Sequence, residues 1–175
     1  MRKIILYIAS SLNGLIADKD GKVDWLEQIP NPNKNDYGYS NFVKTIYTTI
    51  QGNNTYKQIM GWGIEFPYKE TTNYVITNNQ NITNNDNVKY ISNNHIEFIR
   101  NLKLQKGKNI WLIGGGKVNS LLLENNLIDE IYLFLMPIIL EDGIKIFEGI
   151  DFNKSLKILD TKSYSSGVNR VIFTL

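Results

Sequence analysis

The sequence contains no cysteine, which excludes a disulfide framework, a thiolate nucleophile and any zinc site built on cysteine. Histidine occurs once, as His95; with no thiolate to join it, a catalytic zinc is not expected and no metal site is assigned. Neither sign of charge is in excess. The chain has 19 basic and 17 acidic residues, a net charge of +2, and no basic block, so nucleic acid is not expected as a partner. Long apolar runs are missing too. The opening "MRKIILYIAS" has a basic pair and six apolar residues that pass straight into "SSLNG", too short for a signal peptide's apolar region or a membrane span. No membrane association is expected, and the reading is a cytoplasmic protein. At 175 residues the chain is read as one domain, residues 1–175, able to bury roughly two thirds of its unfolded surface without a metal or disulfide.

What is present is organised by hydrophobic period. "KIILYIA", residues 3–9, is a near-continuous apolar run that suits a central strand covered on both faces. "SSLNGLIADKDGKVDWL", rich in Gly, Asp and Asn, reads as a long loop. Tyr39, Phe42, Val43 and Ile46 stand at i, i+3, i+4 and i+7, one face of a helix, ahead of a short strand at Thr48 to Gln51. "NNTYKQIM" reads as a short helix, "TTNYVIT" and "NVKYIS" as strands, and the asparagine-rich "TNNQNITNNDN" as a polar surface loop. "HIEFIRNLK" is a helix with Phe98, Ile99 and Leu102 inward, "NIWLI" a buried strand, and Val118, Leu121 and Leu122 the buried stripe of the next helix. From Asp129 onward "DEIYLFLMPIIL", "SLKILDTKSY" and "NRVIFTL" read as strands without helices between them. This order predicts an α/β fold whose mixed sheet is parallel at the centre and antiparallel in its C-terminal strands.

Between "NIWLI" and its helix stand Gly114, Gly115 and Gly116. One glycine is enough to turn a chain, so three imply either a tight strand-to-helix connection or backbone that approaches a ligand closely, most economically a phosphate at the helix N-terminus. The second half of the dinucleotide fingerprint and of the P-loop is absent. Asp36 follows "NPNKN" and precedes the first helix; it is either an N-cap or, in a partly apolar cleft, a carboxyl that supplies or relays a proton. Lys117 is a solvated helix-start residue or a phosphate contact. Trp25 walls a substrate cleft or covers core. Tyr37 and Tyr39 flank Gly38, one lining the pocket and the other core by periodicity. His95, at a helix start, reads as a surface or cap residue.

Taken in order, these pieces resemble the dihydrofolate reductase-like superfamily over essentially the whole chain. The elements are a first strand ending in Ala9, "SLNGLIA", Asp36 opening a helix, "QGNNTY" after the next strand, and "WLIGGGKV". "DEIYLFLMPIILEDGIKIF", with Pro137, Gly143 and Phe147, and "SYSSGV" resemble in particular the C-terminal reductase domain of the bifunctional riboflavin-biosynthesis enzyme and its stand-alone relatives. The resemblance implies a three-layer dihydrofolate reductase-like fold, a homodimer, and hydride transfer from NADPH, with NADH possible, to a small heterocyclic or sugar-imine substrate, as in 5-amino-6-(5-phosphoribosylamino)uracil reduction. Reduction of dihydrofolate, or a nucleotide-binding or interaction module without turnover, stand as alternatives. Position by position it implies nicotinamide contacts at Ala9 and Ile16, and adenosine contacts at Ile76, Thr77 and Asn78. Gly114, Gly115 and Gly116 fall on the pyrophosphate turn, with a cis Gly114–Gly115 peptide and with Ile113 and Val118 as flanking cofactor contacts, and Lys117 falls where a basic residue faces the adenosine phosphate. Gly52 and Thr55 match a second cofactor turn, but Asn53 and Asn54 stand where relatives carry basic residues, which removes a charge-assisted contact. Asp36 falls at the substrate-facing acid, with Trp25 and Tyr37 as substrate contacts.

Overall fold

The computed structural model describes residues 1–175 and folds them around one eight-stranded sheet, with a separate two-stranded ribbon. The strands are β1 (Ile4–Ser10), β2 (Leu15–Asp18), β3 (Ile46–Gly52), β4 (Thr72–Ile76), β5 (Lys89–Ile91), β6 (Asn109–Gly114), β7 (Glu130–Leu135), β8 (Gly143–Lys145), β9 (Lys157–Ser163) and β10 (Asn169–Thr174). The helices are α1 (Tyr39–Val43), α2 (Asn53–Met60), α3 (His95–Leu104) and α4 (Gly116–Glu124). In space the order is β5-β4-β3-β6-β1-β7-β10-β9. Every pairing from β5 to β7 is parallel, and β10 and β9 close the sheet antiparallel. The expected α/β architecture is therefore present, with the antiparallel part confined to the C-terminal edge.

The composition of β1 explains its central place. Ile4, Ile5, Leu6 and Ile8 are all buried, and successive side chains enter different layers because a strand points them alternately to opposite faces. Ile4 and Leu6 join Ile110 and Leu112 under Ile99 and Leu102 of α3 and Val118, Leu122 and Leu123 of α4. Ile5 and Trp111 face the other way, against Phe42 of α1. Tyr56 and Ile59 of α2 pack with Val75 and Phe66, and Tyr68 bridges this group to the Phe42 cluster. The result is three layers, with α3 and α4 on one face and α1 and α2 on the other. A partly buried ion pair ties two layers at the N-terminal strand ends: Lys103 Nζ lies 2.7 Å from Asp129 Oδ2, which also accepts the Ile4 N–H at 2.7 Å.

The structure differs from the sequence reading in three places. The segment read as one long loop after β1 contains β2 and a short 3-10 helix at Asp24–Gln28. β2 is held by β8, a strand that sequence period does not reveal, through Leu15–Lys145 and Ala17–Ile144 pairing. Each is only a few residues long, and their stability comes from each other rather than from local propensity. Ile46, assigned to the helical face, instead begins β3, because α1 ends at Val43.

Core position, not residue type, sets the cost of truncation. Leu112 is fully buried, whereas Leu104 is 66% exposed. Leu112→Ala is expected to lower unfolding free energy by about 3 kcal/mol, and Leu104→Ala by about 0.5 kcal/mol or less, in urea titrations. Equal losses would contradict this layering.

Candidate active site

In an open sheet with parallel strands, ligands bind in the crevice outside the carboxyl ends of the strands. The residues singled out in the sequence gather at that edge. Ala9 is the last residue but one of β1, which runs on to Ser10, Gly52 ends β3, Ile76 ends β4, and Ile113 and Gly114 end β6, on strands that are neighbours in the sheet. Asn53, Asn54 and Thr55 open α2, while Gly116, Lys117 and Val118 open α4. Ile16 approaches on β2, packed against the main core. Thr77 and Asn78 continue past β4, where the Thr77 carbonyl meets His95 Nε2 at 3.1 Å. His95, read as a surface or cap residue, thus fastens the start of α3 to the end of β4.

The glycines bring the two helix starts together. Gly114 has φ +123, a conformation that favours glycine, and the Gly114–Gly115 peptide is cis. A Cβ on Gly52 would lie 3.2 Å from Val118 Cγ2, and one on Gly115 would lie 3.3 Å from Thr55 Oγ1. The α2 and α4 N-termini therefore meet across a seam with almost no side-chain volume, and the first amides of each helix have no acceptor within their own helix. Three amide side chains at this seam hold buried atoms without a partner, Gln51 Oε1 and Nε2, Asn53 Oδ1 and Asn119 Oδ1; the others, Ser10 Oγ, Trp25 Nε1 and Arg170 Nε, lie on β1, the 3-10 helix and β10. An unpaired buried polar atom costs about 1–3 kcal/mol, so these groups call for a ligand or water. Free helix amides, a seam in which Gly52 and Gly115 leave no room for a Cβ, and unsatisfied amide side chains fit the phosphates and polar rings of a nicotinamide dinucleotide. Lys117 is exposed at the start of α4 and Asn54 is exposed on α2. Two surface cavities, of about 310 and 350 Å³, lie elsewhere, one beside Lys3 and Lys154 and the other beside Tyr90 and Phe98.

The α1 face of the same edge is aromatic. Tyr7 stacks on Phe42 at 4.2 Å between ring centroids and packs against Phe134 at 4.6 Å. Tyr39 and Trp111 meet edge to face at 5.9 Å. Burial pushes the Tyr7 phenol well above its ordinary value, so it stays neutral and able to donate. Tyr7 sits inside an apolar strand run and was not recognisable as a site residue; only its alternation with Ile8 hinted that it faces the other layer.

Asp36 is exposed and acts as a cap. Its Oδ1 accepts the Gly38 N–H at 2.9 Å and its Oδ2 the Ser40 N–H at 3.0 Å. The Ser40 side chain, then these backbone amides, lower its carboxyl to about 2, so it carries no proton to supply at neutral pH. Tyr37, with φ +53, is tied to the C-terminal hairpin: its hydroxyl meets Ser166 Oγ at 3.0 Å and its carbonyl accepts the Tyr164 hydroxyl at 3.1 Å. Trp25, read as a possible cleft wall, is only 4% exposed and packs with Phe134, Met136 and Val168. It is core because the 3-10 turn that carries it folds back under the end of β7.

Comparison with known proteins agrees with this fold. The model of the RibD C-terminal domain matches residues 2–170. YwjB, an uncharacterized protein of Bacillus subtilis (strain 168), is 35% identical over 167 residues, 95% of each chain. A putative riboflavin biosynthesis protein from Shewanella sp. PV-4 has a structure similar to this one with a TM-score of 0.86 and 28% identity, covering 99% of this chain and 98% of its own. Dihydrofolate reductase from Enterococcus faecalis, solved with NADP(H) and RAB-propyl, shares the fold at a TM-score of 0.70 and 20% identity over 98% of this chain and 95% of that one.

Because Asp36 uses both carboxylate oxygens, asparagine can replace only one of the two caps. The folded-state value is depressed, so the carboxylate's contribution is present above its unfolded value near 4 and is lost as pH falls through about 2. The melting temperature of wild type should exceed that of Asp36→Asn at pH 6, with the gap closing between about pH 4 and pH 2. A gap that does not change with pH would show that the charge is not what caps α1.

Proposed function

The chain belongs to the RibD C-terminal domain family, and we propose that it is a reductase that passes hydride from NADPH to a small heterocyclic or sugar-imine substrate. The observation that carries this reading is the seam at the carboxyl edge, where two helix N-termini, the unpaired amide of Gln51 and the unpaired Oδ1 atoms of Asn53 and Asn119 adjoin the Gly114–Gly116 turn. When bound, the dinucleotide would supply the hydride, and the protein would supply orientation and electrostatics. The amides of Gly116 and Lys117 and those at the start of α2 would hold the pyrophosphate. Ala9 and Ile16 would border the nicotinamide through backbone groups, and Ile76, Thr77 and Asn78 would border the adenosine.

The substrate would lie over the aromatic α1 face, against Tyr7, Tyr39 and Trp111. Reduction of a C=N or C=O bond also needs a proton. Asp36 is ionised at neutral pH, so it acts in this reading as an acceptor that orients a water or a substrate N–H, while Tyr7 and solvent hold the protons. NADPH is preferred over NADH, with Lys117 facing the extra phosphate; the preference is only about tenfold to a hundredfold because Asn53 and Asn54 offer neutral donors in place of cations. Dihydrofolate reduction fits the same fold and is the alternative activity.

The protein is further proposed to be a homodimer paired through its C-terminal edge. All seven residues of β9 are exposed, with Ile158 and Leu159 more than half so, and an uncovered edge strand of this kind invites pairing.

Two measurements test these proposals. Loss of reduced-nicotinamide absorbance should follow addition of aminopyrimidine ribosides or dihydropterins, faster with NADPH than with NADH; binding of NADPH without turnover across the whole panel would favour a non-catalytic module. Light scattering at micromolar concentration should give twice the chain mass, and a monomer mass would end the dimer proposal.

A further inference from the structure

The segment that follows β8 brings an acidic side chain against the first turn of α4. A Cβ on Gly116 would fall 2.3 Å from the Lys145 carbonyl oxygen, 2.8 Å from Glu148 Cγ and 2.9 Å from Glu148 Oε2. The third glycine of the turn therefore makes room for this segment. The segment is clamped in place: Ile146 N–H donates to the Gly14 carbonyl at 3.0 Å, Glu148 N–H to the Gly116 carbonyl at 3.4 Å, and Asn119 Nδ2 to the Ile146 carbonyl at 2.8 Å. The Glu148 carboxylate itself has no ion-pair partner; the pairs in the protein are Lys3–Glu130, Lys69–Glu65, Lys103–Asp129 and Arg170–Asp160. Neither Lys117 nor Lys145, both exposed, neutralises it. Beside the same turn Asn119, fully buried, leaves Oδ1 without a partner.

A helix N-terminus attracts negative charge whether it comes from a side chain or from a ligand phosphate. We infer that Glu148 competes with the dinucleotide phosphates for the first turn of α4, steadying the free protein and holding down its affinity for the cofactor. The inference rests on the reading that this crevice takes NADPH. α2 carries Asn53 and Asn54 at its start, so the turn has neutral side chains on one helix and, on the other, the Glu148 anion beside the exposed cation Lys117.

Glu148→Gln keeps the shape of the side chain and removes the charge; Glu148→Ala removes both. NADPH binding is titrated for wild type and both variants at low and high salt, and melting temperature is recorded without NADPH. Both variants should bind NADPH about three- to tenfold more tightly at low salt. The gain should shrink near 1 M salt, where the screening length falls to about 3 Å. The melting temperature of each free variant should fall by about one to three degrees. A purely structural Glu148 would weaken stability and binding together, so opposite signs are the signature. Equal NADPH affinity in wild type and Glu148→Gln, or weaker binding in both variants, would overturn the inference. Absence of NADPH binding by wild type and variants alike, up to millimolar concentration, would overturn the cofactor reading itself and the inference with it.

Discussion

The Gly114–Gly116 turn is pressed from two sides, and neither side leaves space for a side chain. Toward β3, Gly52 lies against Val118 and the Gly115 amide; toward β8, Gly116 lies against the Lys145 carbonyl and Glu148. This double contact sets the relative positions of the α2 and α4 N-termini, and through Asn119 and Ile146 it also fixes the β2–β8 ribbon that carries Ile16. The amides exposed at the sheet's carboxyl edge owe their arrangement to it. Donors held in this way are in place without a ligand, so none of the free energy of a binding event would go into ordering them. Here the order comes from packing among glycines and from main-chain hydrogen bonds that cross from one loop to another.

The second arrangement on which the site depends is the docking of the Asp36 loop onto the C-terminal hairpin. Tyr37 reaches Ser166, Tyr164 reaches the Tyr37 carbonyl, and Asn33 meets Ser165. Residues near the start of the chain are thereby held by residues near its end, and the rim of the aromatic face becomes part of the antiparallel edge of the sheet. Tyr164 also packs edge to face with Tyr37 at 4.9 Å. A change in how β9 and β10 are partnered would therefore be felt at α1, where Asp36 caps the helix and Phe42 supports Tyr7.

The charge pattern of the crevice differs from its shape. The backbone provides a donor-rich seam, while the side chains around it are the neutral amides of Asn53, Asn54 and Asn119, the exposed cation Lys117 and the acid Glu148. Affinity at such a seam comes mainly from oriented amides and helix dipoles, with less help than usual from cations. Tight geometry and restrained electrostatics together suit a ligand that must be released as well as held.

Much of this was determined by the sequence alone. The apolar run of β1, the glycines after β6 and the helix-free stretch from Asp129 specify an α/β sheet with an antiparallel C-terminal edge, because hydrophobic period and glycine content act locally. The placement of Gly52, Ile76 and Gly114 at strand ends, and of Ala9 one residue short of one, was legible for the same reason. Only the tertiary structure decided the rest. β2 and β8 exist because they pair with each other; neither is long or apolar enough to announce itself. Asp36 became a cap with both oxygens engaged, Trp25 became core and Tyr37 turned to the hairpin, since each fate depends on partners far away in the chain. Glu148 carries no motif at all. It reaches α4 because Lys145 and Gly116 have no atoms between them, a contact that no local pattern encodes.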